Sequence, residues 1–130
     1  MQKTEPLRFN YEFSRVYRRG KVLSGKYLSL NVFERDSRVR RGTKKINPAR
    51  NRLGVTANRK VRTAVTRNRV RRLLRESYRL LEPELKPGYD LIFMIKSADK
   101  IPPFSVIHAE MEKLLIRAGV CVQAAEKQDV

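Results

Sequence analysis

Guanidinium groups crowd the middle of this sequence. Arg59, Lys60 and Arg62 lead into Arg67, Asn68, Arg69, Arg71, Arg72, Arg75 and Arg79. A guanidinium is planar, always charged and forked, so it grips a phosphate through two donors and stacks on a base. At ~100° per residue in a helix, Arg67, Arg71, Arg75, Asn68, Arg79 and Arg72 fall within an arc of roughly 140°. Leu73, Val70, Leu81 and Leu74 fall on the other side, Tyr78 falls beside Arg67 at the margin of the basic arc, and Arg69 lies off the main basic stripe. Like charges at i,i+4 oppose a helix, so the aliphatic side must anchor it and something else must neutralise the basic side. A merely solvated face usually mixes signs; this one does not.

Other side chains offer less chemistry. Phe13 and Tyr17 are four apart and share a helix face. Such a pair at helical spacing is usually core. His108 is solitary and lacks a carboxylate or nucleophile partner, so it is expected to be a surface or satisfied residue. Cys121, the one cysteine, excludes an internal disulfide and a Cys-rich zinc site. Asp90 and Asp99 are too few and too far apart for a two-metal nuclease centre. No Gly-rich phosphate loop occurs. The expected catalytic residues are therefore none, and the expected protein metal site is none.

Over the whole chain, 130 residues allow one domain. The formal charge is +17, and Arg35 to Arg79 holds 17 of the 30 bases with only two acids, Asp36 and Glu76. That density repels itself unless a polyanion neutralises it. Nucleic acid is the expected partner. An anionic membrane surface is the rival, but membrane-surface helices need a broad exposed apolar face. A DNA recognition helix fits less well than RNA, because base-reading Asn and Gln are sparse and no helix-turn-helix pair precedes it. No apolar run approaches ~18 residues, and the N-terminus lacks a signal-peptide stretch. The expected location is cytoplasmic.

The elements that must position these groups follow from periodicity. Residues 1–8 read as a flexible polar tail. Phe9 to Arg18 has apolar residues at helical spacing before Gly20. Lys26 to Glu34 alternates as a half-buried strand, with Val22-Leu23 as a short strand before it. The 35–51 segment, with seven bases, Gly42 and Pro48, reads as a mobile basic loop too polar to pack. Arg52 to Asn58 is a strand, and a long helix runs from about Thr63 to Leu81, stopped by Pro83. Tyr89 to Ile95 suits a strand buried on both faces, and Pro102-Pro103 opens a last helix, Phe104 to Ala118, closed by Gly119. Residues 9–119 form the expected domain, and 120–130 a polar tail. The expected class is α+β in the order α-β-β-β-α-β-α.

Two stretches carry a resemblance. Arg52-Leu53-Gly54-Val55-Thr56-Ala57-Asn58-Arg59-Lys60 and Ala64-Val65-Thr66-Arg67-Asn68-Arg69-Val70-Arg71-Arg72-Leu73-Leu74-Arg75-Glu76 resemble the signature of the protein subunit of bacterial ribonuclease P. Phe13-Ser14-Arg15-Val16-Tyr17-Arg18-Arg19-Gly20 and Lys86-Pro87-Gly88-Tyr89-Asp90-Leu91-Ile92 match its first helix and the turn into its fourth strand. The similarity runs from about Phe9 to Ala118. It implies a four-stranded sheet with three helices and a left-handed βαβ crossover, against the usual hand. It implies a ribonucleoprotein that removes the 5′ leader of precursor tRNA, with an RNA catalyst that binds Mg²⁺. The implied partners are that catalytic RNA and the leader, with no protein partner required. Arg59, Lys60, Arg67, Asn68, Arg69, Arg71, Arg72 and Arg75 would face the catalytic RNA. Phe13 and Tyr17 would line a leader cleft between the first helix and the sheet, leaving Phe9 and Val16 to the core. Leu30 stands where some members have an aromatic; Tyr27 is the substitute, although alternation places it opposite Leu30. Asn58 and Arg62 replace a frequent Ser and Gly. The runner-up, from a different class, is a ribosomal-type structural RNA binder with no part in cleavage.

Overall fold

The computed structural model describes residues 3–36, 38–96 and 100–121. Helix α1 (Asn10–Arg19) lies on one face of a five-stranded sheet. Helices α2 (Ala64–Leu81) and α3 (Phe104–Arg117) cover the other. The strands are β1 (Thr4–Pro6), β2 (Lys21–Ser24), β3 (Leu28–Glu34), β6 (Asn51–Ala57) and β7 (Tyr89–Ile95), in spatial order β1-β6-β7-β3-β2. The pairs β1·β6 and β6·β7 are parallel, the others antiparallel. A two-stranded ribbon, β4 (Arg40–Arg41) and β5 (Lys44–Lys45), stands apart from the sheet.

Alternation divides the core in two. Leu91, Phe93 and Ile95 of β7 join Leu28, Leu30 and Val32 of β3 in the main cluster beneath α2 and α3. Ile92 points the other way, to Leu7 and Val16, with Phe13 and Phe33 packed alongside. The unbroken apolar run Leu91 to Ile95 thus feeds two cores, as expected of a central strand covered on both faces. Gly54 permits the closeness of α1: a Cβ there would sit 2.5 Å from the Phe13 ring. Gly119 closes α3 with a φ of +78°, a conformation that a side chain would strain. Glu110 of α3 ties that layer to the β2–β3 turn. Its carboxylate accepts the N–H groups of Lys26, Tyr27 and Leu28 at 2.8, 2.8 and 2.6 Å.

Four expectations are corrected. The 1–8 tail is a strand in part: Leu7 is buried, and Leu7 N–H donates to the Leu53 carbonyl at 2.9 Å. The Thr4 hydroxyl meets the buried Tyr78 hydroxyl at 2.8 Å. The sheet consequently has five strands rather than four. The 35–51 loop, read as too polar to pack, is anchored. The Arg35 side chain is 4% exposed and donates to Asp90 and to the carbonyls of Tyr89, Asn47 and Arg50. Polarity does not prevent packing when one guanidinium gathers the loop's own carbonyls. Of the 120–130 tail, Val120 and Cys121 are buried, and Cys121 bridges to Leu85. Residues 122–130 and Asp99 lie outside the described residues.

Candidate nucleic-acid interface

Helix α2 is pinned by Val70, Leu74, Ser77, Tyr78 and Leu81, all buried. The opposite arc carries Asn68, Arg69, Arg72 and Arg75, all exposed, with Arg71 half-buried at its edge. The helix begins where Thr63 Oγ1 accepts the Thr66 N–H at 3.2 Å. Its lead-in is shaped by Asn58, whose side-chain oxygen accepts the Lys60 N–H at 3.0 Å, leaving Arg59 and Lys60 exposed. The first turn holds no acid, although a helix N-terminus favours negative charge. Among the described residues, the ion pairs engage Arg35, Arg38, Arg41, Arg50, Arg52 and Arg79. None engages Arg59, Lys60, Arg69, Arg71, Arg72 or Arg75. The cationic face is left open to solvent.

Arg67 is placed differently from the rest of the set. Its guanidinium donates to the carbonyls of Ala57, Asn58 and Val61 at 3.2, 3.2 and 3.0 Å. It staples the end of β6 to α2, which is a structural task. Its helical angle, between those of the buried Leu74 and Tyr78, already hinted at this.

The aromatic set is also divided. Phe13 packs against the smaller core and lines a cleft of about 230 Å³ with Pro6, Leu7, Gly54, Val55 and Arg75. Arg75 of α2 thus joins the basic face to the aromatic side of α1. Tyr17 is 50% exposed on α1. Tyr27 is not brought to them; it packs against the main cluster, under α2 and α3. It precedes β3, so strand alternation does not govern it. Phe9, expected in the core, is 46% exposed. It stacks on Tyr11 with ring centroids 5.5 Å apart, beneath the Arg41 guanidinium. Val16 is buried as expected. His108 is half-buried in a tilted contact with Phe104.

Beneath this surface lies a network that sequence reasoning missed. Arg52, with no exposed surface, donates to Asp90 at 2.8 and 2.6 Å and to Glu12. Glu12 also accepts from Arg41 and from the N–H groups of Arg8 and Phe9. Burial pushes the Glu12 carboxyl up, but the hydrogen bonds from Arg41 and Arg8, the Arg52 charge and the Phe9 N–H together hold it below the usual carboxylate value. The signal available was Glu12 on the apolar side of α1, one residue before Phe13. Among the described residues no three His, Cys, Asp or Glu gather as metal ligands. The two central carboxylates, Glu12 and Asp90, are taken up by guanidinium groups and do not form a divalent-cation site.

Fold and surface together define a small mixed α/β protein with an arginine-rich helix whose exposed arginines, Arg79 apart, have no ion pair among the described residues. No described helix is long and apolar enough to cross a membrane. The model of the Ribonuclease P family matches residues 1–119. Ribonuclease P protein components of Clostridium novyi (strain NT) and Clostridioides difficile (strain 630) are 39% and 32% identical to the chain. Each match spans 92% of this chain, and 98% and 96% of the respective relative. The solved RNase P proteins of Staphylococcus aureus and Thermotoga maritima superpose with TM-scores of 0.72 and 0.68 at 21% and 22% identity. They cover 92% and 87% of this chain, and 100% and 96% of theirs. The chain belongs to the ribonuclease P protein family.

Proposed function

We propose that this chain is the protein cofactor of a ribonuclease P ribonucleoprotein that removes the 5′ leader from precursor tRNA. The observation that carries this reading is the open arginine face of α2, on which Arg79 alone has a described ion pair, in a chain of this family. Arg59, Lys60, Asn68, Arg69, Arg71, Arg72 and Arg75 hold the catalytic RNA through its phosphates. Phe13 and Tyr17 take the leader, and Arg75 lies where the two surfaces meet. Hydrolysis belongs to the RNA, with Mg²⁺ held mainly there, because the described carboxylates are committed to arginines or dispersed. The protein's task is electrostatic: it screens repulsion between two polyanions.

The test is reconstitution. The purified chain is added to a bacterial ribonuclease P RNA at low Mg²⁺ with precursor tRNA. Accurate 5′ cleavage that depends on the protein is the expected result. RNA binding without any stimulation of cleavage overturns the reading.

A further inference from the structure

Two helices on opposite faces of the sheet meet at one edge. Phe13 of α1 and Arg75 of α2 line the same cleft, and Thr4, Pro6 and Leu7 form the wall between them. The strand in that wall, β1, is three residues long and lies at the sheet's edge on β6. Pro6 has no N–H to give to a ladder, and so short an edge strand has little hold of its own. Its downstream end is fixed. Leu7 is buried, its N–H donates to the Leu53 carbonyl at 2.9 Å, and the Glu12 carboxylate accepts the N–H groups of Arg8 and Phe9.

The upstream end is held from the other layer. The Thr4 hydroxyl meets the Tyr78 hydroxyl at 2.8 Å, and both residues are buried. Tyr78 lies three residues after Arg75, so one turn of α2 carries the latch and the charge on neighbouring positions. At the far end of β1, roughly 10 Å along an extended chain, the Leu7 methyl and the Phe13 ring both lie within 3.4 Å of where a Gly54 Cβ would stand. A continuous line thus runs from Tyr78 through Thr4 and Leu7 to Phe13. A one-residue slip of β1 along β6 would turn Leu7 out of its core and re-aim the entry into α1. Apolar burial alone does not forbid such a slip at the Thr4 end. The hydroxyl pair does, because it is directional and a slipped Thr4 would deprive the buried phenol of this partner.

We propose that Thr4 is a positioning residue for leader binding. Bonded to Tyr78, it fixes the register of β1 on β6, and β1 in turn sets the gap between Phe13 and Arg75. Thr4 acts through Leu7 and Phe13, not by touching RNA. This role rests on the reading above that Phe13 takes the leader, and it adds the latch that holds the aromatic side of α1 in register with α2.

The experiment assembles the full chain with a bacterial ribonuclease P RNA and measures affinity for precursor tRNA and for mature tRNA side by side. Thr4→Val keeps the shape and removes the hydroxyl. It should lower the precursor-over-mature ratio about threefold to tenfold, the range set by one hydrogen bond, with mature tRNA bound as before. Thr4→Ser should restore the ratio. Tyr78→Phe removes the same bond from the α2 side and should reproduce the loss, and the double variant should add nothing to it. Ile107→Val, which loosens packing under α3, should lower the melting midpoint and leave the ratio alone. In the free chain, the Phe13 ring resonances should move in Thr4→Val while those of Phe104, at the start of α3, stay in place. A ratio untouched by Thr4→Val, an equal loss for both RNAs, an equal effect of Ile107→Val or an unmoved Phe13 ring overturns the role of Thr4. The two readings fail separately. A native holoenzyme that binds both RNAs equally sinks the leader assignment and the latch with it, whereas a native preference that survives Thr4→Val sinks the latch alone.

Discussion

Arg52 has no exposed surface and two carboxylate partners, Glu12 and Asp90. Removing one member of such a set strands a buried charge, which typically costs about 3–5 kcal/mol. Arg52→Met should therefore lower the urea midpoint sharply; a midpoint within error of the native one would contradict the network's role. Glu12 adds a pH dependence. Its folded pKa lies below the unfolded value, so its contribution is present above the unfolded pKa and is lost as pH falls through the folded one. Glu12→Gln should flatten the acid limb of a stability-versus-pH profile. Tyr78 works at the other end of the scale. Burial, opposed in part by the Thr4 hydroxyl, pushes its phenol up to about 12. Its contribution is whole below about pH 10 and disappears as pH rises through about 12. Ultraviolet titration should show one tyrosine ionising late, and Tyr78→Phe should remove that step.

At the scale of elements, α2 performs two tasks with one residue type. Arg67 binds three carbonyls of the β6 exit, whereas Arg72 is exposed and bound to nothing the structure describes. Arg67→Ala should lower thermal stability along with RNA affinity. Arg72→Ala should leave the melting midpoint unchanged and weaken RNA binding by about 1–3 kcal/mol. Equal midpoints for both variants would refute the staple. Periodicity made most of this legible. The aliphatic stripe of α2 fixed its buried side, and the run Tyr89 to Ile95 matched β7 residue for residue. Thr4–Pro6 escaped because a three-residue edge strand has no period to read; it exists through pairing with β6 and the Tyr78 contact. The 35–51 segment misled for a related reason. Its order comes from Arg35 and Arg41 reaching Asp90 and Glu12, residues 55 and 29 positions away, and no local pattern encodes such pairs.

For the whole molecule, the charge divides by function. Arg35, Arg41 and Arg52 are neutralised internally and build the scaffold. The α2 arginines outside Arg67 and Arg79 have no ion pair among the described residues, and the proposed function assigns them to the RNA. Composition alone could not separate these populations, since the bases of 35–79 look uniform in sequence. The most direct test is the salt dependence of binding to ribonuclease P RNA, native chain against the triple variant Arg69→Ala, Arg72→Ala, Arg75→Ala. Each lost phosphate contact should reduce the log–log slope by about 0.7–0.9, so the variant's slope should be shallower by about 2–3. An unchanged slope, with the variant folded, would show that this face does not hold the RNA.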